Sequence, residues 1–351
     1  MGLSVWQTVL LSLLIVAVLL LPLVLHKVEK NLEAFLFVCG AFAVTVSQVW
    51  SWHLISTALQ DPIKITAAVL IAGLLFRQFH HQLQQITQWS IKKIGLRQTL
   101  VAIVLILGLT SSIITAIIAA LILSEIAVML PLERKGRIKL VVFSCYAIGM
   151  GAILTAIGEP LGTVVISKLS GEPHNAGFFF LIDHLGWYVL GGMIFMAGLA
   201  SSLRENTIQH APGAKAANVS DHSAKSILIR AGKVYLFVMA LTLLGDGLKP
   251  LAMQTITHLS DTWLYWINML SAVLDNATLA AIEVTPSITD RSITFLLMSL
   301  IISGGMLIPG NIPNIICASK LGITSKEWAK VAFGLGIILM VVYFLILAAV
   351  L

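Results

Sequence analysis

Apolar runs recur along the whole chain, and several reach the roughly 20 residues that a helix needs to cross about 30 Å of hydrocarbon. Such a chain must satisfy its backbone hydrogen bonds internally, which leaves helices or a closed barrel. Barrel strands are shorter and alternate apolar with polar positions, and these runs do not. With 58% hydrophobic and 11% charged residues among 351, the chain reads as an all-α integral membrane protein whose first partner is membrane lipid. The net charge of +6 does not argue for nucleic acid, because Lys and Arg gather between the apolar runs, where they report topology. Cys39, Cys145 and Cys317 show neither metal-ligand spacing nor a disulfide framework, and are expected to pack as small apolar side chains.

Runs at 8–25, 33–50 and 63–76 read as spans. The first has no basic residue before it and HKVEK after it, so a retained helix with its N-terminus outside is expected. From Arg77 the sequence RQFHHQLQQITQWSIKKIGLRQ is too polar to span, and a separate helix in the cytoplasmic interface is expected there. From Leu100 to Leu132 an apolar stretch is interrupted by GLTSSIIT and flanked at both ends by basic residues. A straight span would put one basic cluster on each side of the membrane; a re-entrant hairpin keeps both in the cytoplasm. The run 140–168 contains TAIGEPLGT, where Gly158, Pro160 and Gly162 should break the helix. A further span returns over 178–200, and 201–225 is a polar cytoplasmic linker.

After the linker the same order returns: a span, a less apolar piece, a segment SAVLDNATLAAI, a run broken at PGNIPN by Pro309, Gly310 and Pro313, and a last span. Gly158, Ser167, Lys168 and Leu169 align with Gly310, Ser319, Lys320 and Leu321 at one constant offset. Around the hairpin tips, Ser111, Thr115 and Ala120 align with Ser271, Asp275 and Ala280. The second hairpin is flanked by Asp261 and Asp290, with Arg291 the only nearby base, so its ends should lie outside. The repeats are then inverted. Residues 1–62 form two N-terminal helices, 63–200 the first repeat and 226–351 the second, with eight spans, two hairpins and the C-terminus outside.

In inverted repeats, sites form near the bilayer midplane from interrupted helices. Here that brings Ser111, Ser112, Thr115, Ser271, Asp275, Asn276 and Thr278 toward Glu159, Thr163, Asn311 and Asn314. An ionised Asp at a helix centre costs about 2.5–3.5 kcal/mol on insertion scales, so an intramembrane carboxylate points to function. Cations offset carboxylates, and hydroxyls, amide oxygens and unwound carbonyls suit sodium. Asp275, Asn276 and Glu159 are the expected ligands of a monovalent cation, with protons competing at Asp275. Glu125 and Glu283, well beyond the tips, are expected to be solvated gate or hairpin-base residues.

SAVLDNATLAA, with the paired interruptions IGEPLG and PGNIPN, resembles the ion transporter superfamily, which contains NhaD-type sodium/proton antiporters, arsenite permeases and dicarboxylate/sodium symporters. The Asp-Asn pair is most similar to the antiporter branch and its relatives described as putative cation transporters. The resemblance covers about 77–351 and implies two inverted repeats with re-entrant hairpins and discontinuous helices, a homodimer in the plasma or inner membrane, and elevator-like motion. Three departures stand out: SSIIT lacks an Asn after Ser, Glu159 replaces a shorter polar or acidic residue, and NIPN keeps only part of the symporters' carboxylate-binding pattern.

A cation/proton antiporter is therefore the first expectation, followed by a sodium-coupled symporter of a small anion and a non-transporting scaffold. No Lys or Arg lies at either tip or break, as an anion site would prefer. No nucleophile–base grouping, phosphate loop or cofactor motif is present in the sequence, which argues against an enzyme, and the expected small partners are transported Na⁺ and H⁺.

Overall fold

The computed structural model describes residues 3–204, 224–256, 260–274 and 276–351. Its helices are α1 (Val5–Val24), α2 (His26–Lys30), α3 (Leu32–Ser47), α4 (Trp52–Ile94), α5 (Leu96–Ile114), α6 (Ala116–Met129), α7 (Arg134–Ala152) and α8 (Pro160–Lys168). Then follow α9 (Phe180–Ser201), α10 (Ala224–Ile256), α11 (Asp261–Ile267), α12 (Asn276–Glu283), α13 (Asp290–Gly304), α14 (Ile312–Leu321) and α15 (Ser325–Val350). Short 3-10 turns occupy Asn268–Ala272 and Ile308–Gly310. Among the described residues there is no strand.

Among the described residues six segments are long and apolar enough to cross a membrane: Val5–Val24, Trp52–Ile71, Leu96–Ile114, Phe180–Ser201, Ala231–Gln254 and Ser325–Val350. Their outer faces leave large apolar side chains exposed, among them Leu13, Ile71, Ile106, Ile194 and Leu345. A surface of this kind belongs against acyl chains, and the protein is an all-α, multi-pass membrane protein.

The centre is made by α7 and α13. Every residue from Leu140 to Ala152 and from Ile293 to Gly304 is buried. A helix buried all round lies inside a bundle rather than at its edge. Around α7 pack α5, α6, α9 and α15; around α13 pack α11, α12, α15 and the 3-10 turn at 268–272. Outside this core α3 lies along α10 at very close range. A Cβ on Gly40 would come within 2.8 Å of Leu243 Cβ, and one on Gly247 within 2.6 Å of Ala43 Cβ. Small residues let membrane helices approach this closely, and Ser47 Oγ then donates to the Gly247 carbonyl at 2.5 Å.

Several boundaries differ from the sequence reading. The third span and the interfacial helix are one uninterrupted helix, α4, which contains Pro62 and continues through Arg77. Polarity marks where hydrocarbon ends, but nothing between Lys64 and Ile94 breaks a helix, so the backbone continues. At about 1.5 Å per residue, these 43 residues outrun the bilayer's apolar thickness. Likewise α10 passes through Pro250 instead of stopping before it. Helix α3 is only 16 residues, ending before Gln48 with φ 57°, whereas the breaks expected within 140–168 and at PGNIPN separate α7 from α8 and α13 from α14. All three cysteines are buried, and Cys145 on α7 neighbours Cys317 on α14.

Candidate functional site

The two central helices stop abruptly and restart as α8 and α14. The restarts share one local geometry. Glu159 caps α8 with φ −156° and ψ 162°, and Asn311 caps α14 with φ −153° and ψ 147°. Proline follows in the first turn of each, where its missing N–H costs nothing. Glu159 and Asn311 stand at the same offset as the aligned glycines before them. Those glycines are required by close approach: a Cβ on Gly158 would lie 2.0 Å from the Ala152 carbonyl oxygen, and one on Gly310 2.5 Å from that of Gly304. Each chain thus folds back onto the end of the helix it has just left.

At the first break, the segment between α5 and α6 is in direct contact. Thr115 sits at φ 75°, ψ 149°, a conformation costly for a β-branched residue. It separates the two helices, and the next amide, Ala116 N–H, donates to the Gly158 carbonyl at 2.9 Å. Thr155 is the hub: its hydroxyl donates to the Ser112 carbonyl at 2.5 Å and accepts from the Ile157 and Gly158 amides at 3.2 and 3.3 Å. Ser111 Oγ lies 2.6 Å from the Gly108 carbonyl and 3.0 Å from that of Ile148, while Ser112 Oγ donates to Leu109 at 2.8 Å. Both hydroxyl protons go to backbone, which leaves oxygen lone pairs as the available chemistry. Glu159 is only 7% exposed. Thr163, by contrast, is exposed on α8, with its hydroxyl on the Ala156 carbonyl of the break at 2.6 Å and 3.4 Å from that of Glu159.

The second break is closed by different means. Asn314 Nδ2 donates to the Gly304 and Leu307 carbonyls, both at 2.9 Å, and the buried Trp328 indole donates to Gly305 at 3.2 Å. Two carbonyl acceptors fix the orientation of the Asn314 amide, so its buried Oδ1 points away, with no hydrogen-bond partner among the described residues. Ser271 is fully buried, and its carbonyl oxygen would lie 2.8 Å from a Cβ on Gly310. Asn276 opens α12, is 5% exposed, and its Nδ2 would lie 3.7 Å from a Cβ on Gly304. Thr278 is half-buried beside Gly245 of α10. Asp275 lies outside the described residues; its neighbours Leu274 and Asn276 are buried. Contact between the breaks runs through α7: a Cβ on Gly149 would meet Asn311 Nδ2 at 3.0 Å.

Beyond the breaks the halves exchange partners. Helix α8 packs on α12, and α14 packs on α6. Lys168 at the end of α8 donates to the Val284 carbonyl at 3.1 Å, and Lys320 at the end of α14 pairs with Glu125 at the end of α6. This corrects the expectation that Glu125 and Glu283 are solvated. Glu125 is 1% exposed, paired with Lys320 of the opposite half, and Glu283 is 9% exposed, bonded to Asn268 of its own half. Thr155 and Asn268, a buried partner of Glu283 at 3.0 Å, were not singled out from the sequence. Thr155 opens the very motif TAIGEPLGT that marked the break, whereas nothing near Asn268 in sequence gives a signal.

A cleft of about 210 Å³ is lined at one end by Glu29, Glu33 and Lys233 and at the other by Ile308 and Ile315, on either side of the second break. Across its mouth Lys233 pairs with Glu33 at 2.6 Å. Among the described residues, no three His, Cys, Asp or Glu side chains gather as a metal site. What the arrangement offers is oxygen ligands, one buried carboxylate and two interrupted helices. No curated protein matches the chain. Residues 8–350 match the model of a family described as proteins of unknown function, DUF1646, and the chain belongs to that family.

Proposed function

We propose that this protein is a secondary transporter that exchanges a monovalent cation, sodium first, for protons by alternating access. The observation that carries the reading is the pair of matched, buried helix breaks, each in contact with the residues expected at its own hairpin tip. Interrupted helices in a membrane protein are tolerated where they line a cavity or hold an ion. Ser111, Ser112 and Glu159 at one break, with Ser271, Asn276 and Asn314 at the other, supply hard oxygen atoms without a Lys or Arg. That chemistry favours a cation over an anion. Asp275, between two buried residues, is assigned the competition between cation and proton.

In this reading the two halves are inverted repeats and α5–α6 and α11–α12 are re-entrant hairpins. The equal N-cap geometry at Glu159 and Asn311 and the reciprocal packing of α8 on α12 and α14 on α6 support it. The basic residues Arg134, Lys233, Lys326 and Lys330 would face the cytoplasm, which puts the cleft on that side and both termini outside an inner or plasma membrane. A homodimer completes the proposal.

The test is a proteoliposome assay that imposes a sodium or potassium gradient and follows internal pH. Wild type should move protons in the direction opposite to the imposed cation flux, Asp275→Asn should move none, and Glu159→Gln should be slowed. Equal traces for wild type and Asp275→Asn would remove Asp275 from the mechanism, and no cation-driven pH change in wild type would remove the antiporter reading.

A further inference from the structure

A second polar cluster flanks the second break and contains none of the residues assigned to the exchange above. Asn268 is fully buried where α11 passes into its 3-10 turn, and Glu283 closes α12 at 9% exposure. Asn268 Nδ2 donates to Glu283 Oε2 at 3.0 Å and to Ser299 Oγ at 2.9 Å. The Ser299 proton goes to the Leu296 carbonyl at 2.8 Å, and Ser303 Oγ donates to the Asn268 carbonyl at 2.7 Å. Both amide hydrogens are therefore spent. Two acceptors remain, Glu283 Oε1 and Asn268 Oδ1, each buried with no hydrogen-bond partner among the described residues.

One proton resolves this imbalance. Placed on Glu283 Oε1 it converts an acceptor into a donor, and an acid facing an amide can then form a pair of opposed hydrogen bonds. Turning the amide over does not remove the requirement. Asn268 Oδ1 would then face Glu283 Oε2 at 3.0 Å, a contact between two oxygens that holds only with a hydrogen between them.

The charged surroundings agree. Helices α8, α10 and α13 and the 3-10 turn pack on α12. The cation on α8, Lys168, is bonded to the Val284 carbonyl and makes no ion pair with Glu283 among the described residues. From α13 come only the hydroxyls of Ser299 and Ser303, and no charged side chain of α10, α13 or the turn acts on the carboxyl among the described residues. Glu125, at the end of α6, has Lys320 as its counter-ion. A buried carboxyl without such a cation is favoured in its neutral form.

We infer that Glu283 and Asn268 form a proton-binding site beside the second helix break, in which the neutral acid donates from Oε1 to Asn268 Oδ1. The inference stands whether or not the chain exchanges cations.

Infrared spectroscopy of the full chain in detergent, at neutral pH and without sodium, tests it. Wild type should show the carbonyl band of a buried carboxylic acid that shifts in D₂O and is lost in Glu283→Gln. Asn268→Leu, which removes the amide acceptor, should move the band to higher frequency. Glu283→Gln should keep the wild-type melting temperature, since its amide can donate to Asn268 Oδ1 in the proton's place. If Glu283 contributes only carboxylate bands at neutral pH, the site is not a proton site. A wild-type melting temperature that rises with added sodium, with the rise absent from Glu283→Gln, would assign the two acceptors to a metal ion and overturn the inference.

Discussion

Replacing Lys320 by Met should destabilise the protein by about 3–5 kcal/mol, the cost of stranding one member of a buried ion pair. The structure sets this magnitude through exposure: the Glu125 side chain is 2% exposed and that of Lys320 11%. The carboxylate left behind would have neither water nor a counter-ion. Glu125→Gln should cost somewhat less, because the long Lys320 stem can carry its ammonium toward solvent. Removing both charges in Glu125→Leu with Lys320→Met should recover most of the loss, to within about 1 kcal/mol of wild type, since apolar side chains of similar volume often replace a buried pair at no net cost. Contact residues couple, and the double-mutant cycle isolates that coupling. The measurement is reversible unfolding of the full chain in mixed micelles with increasing SDS, followed by tryptophan fluorescence. Arg134 with Glu327 provides the internal comparison. That pair is geometrically better, with two bonds of 2.8 and 2.9 Å, but its side chains are 56% and 32% exposed. Arg134→Ala should therefore cost only about 0.2–1 kcal/mol through the lost pair. If Lys320→Met fell in that lower range too, the joint between α14 and α6 would be hydrated, and the burial argument for the crossed halves would fail.

Thr115→Gly should be neutral or stabilising by about 1–2 kcal/mol, because it relieves a φ of 75°, while Thr115→Ala keeps that backbone, loses the 3.4 Å cap to Ile118 N–H and should be destabilised by about 1 kcal/mol. Thermal unfolding of both variants decides the matter, and a glycine variant less stable than the alanine one would show that Thr115 is not strained. At the charged end, burial pushes the Glu29 carboxyl up, but bonds from His26, Thr324 and the Lys326 amide outweigh it and hold the carboxyl below the usual glutamate range. A carboxyl depressed on folding adds stability that is complete above its unfolded pKa and is lost as pH falls through the folded one. Acidification below the ordinary glutamate range should therefore weaken wild type more than Glu29→Gln, and parallel melting curves in acid would contradict it.

The helix breaks were legible because their cause is local. Proline removes a donor and glycine admits a backbone that no Cβ would tolerate, so Gly158, Pro160, Gly310 and Pro313 announce the interruptions wherever the chain goes next. The end of α4 was not legible, since polar residues after Arg77 say where the lipid stops and not where the hydrogen-bond ladder does. Nor was the burial of Glu125 and Glu283. Counting residues from the tips gives distance along a helix, and whether that point meets water depends on distant elements, Lys320 of α14 for Glu125 and Asn268 before α12 for Glu283. Ser111 and Ser112 were found as polar residues in an apolar run, yet their hydroxyl protons serve the backbone. Thr155 was passed over although it does more to shape the first break than either.

Matched backbone geometry at Glu159 and Asn311 is combined with unmatched chemistry around it. A hydroxyl before the turn, Thr155, holds the first break, and an amide after it, Asn314, holds the second. At the ends of the opposing arms Glu125 meets Lys320, whereas Glu283 meets Asn268. Two matched backbone turns thus carry different side-chain chemistry. The arm of the first half ends in a buried ion pair, which costs a great deal to break from one side. In the second, on the inference drawn above, an acid–amide pair takes that place and becomes charged only when Glu283 gives up its proton. On the exchange proposed above, a carboxylate locked by lysine cannot change its partner, which leaves that task to Glu159 and Asp275 at the breaks.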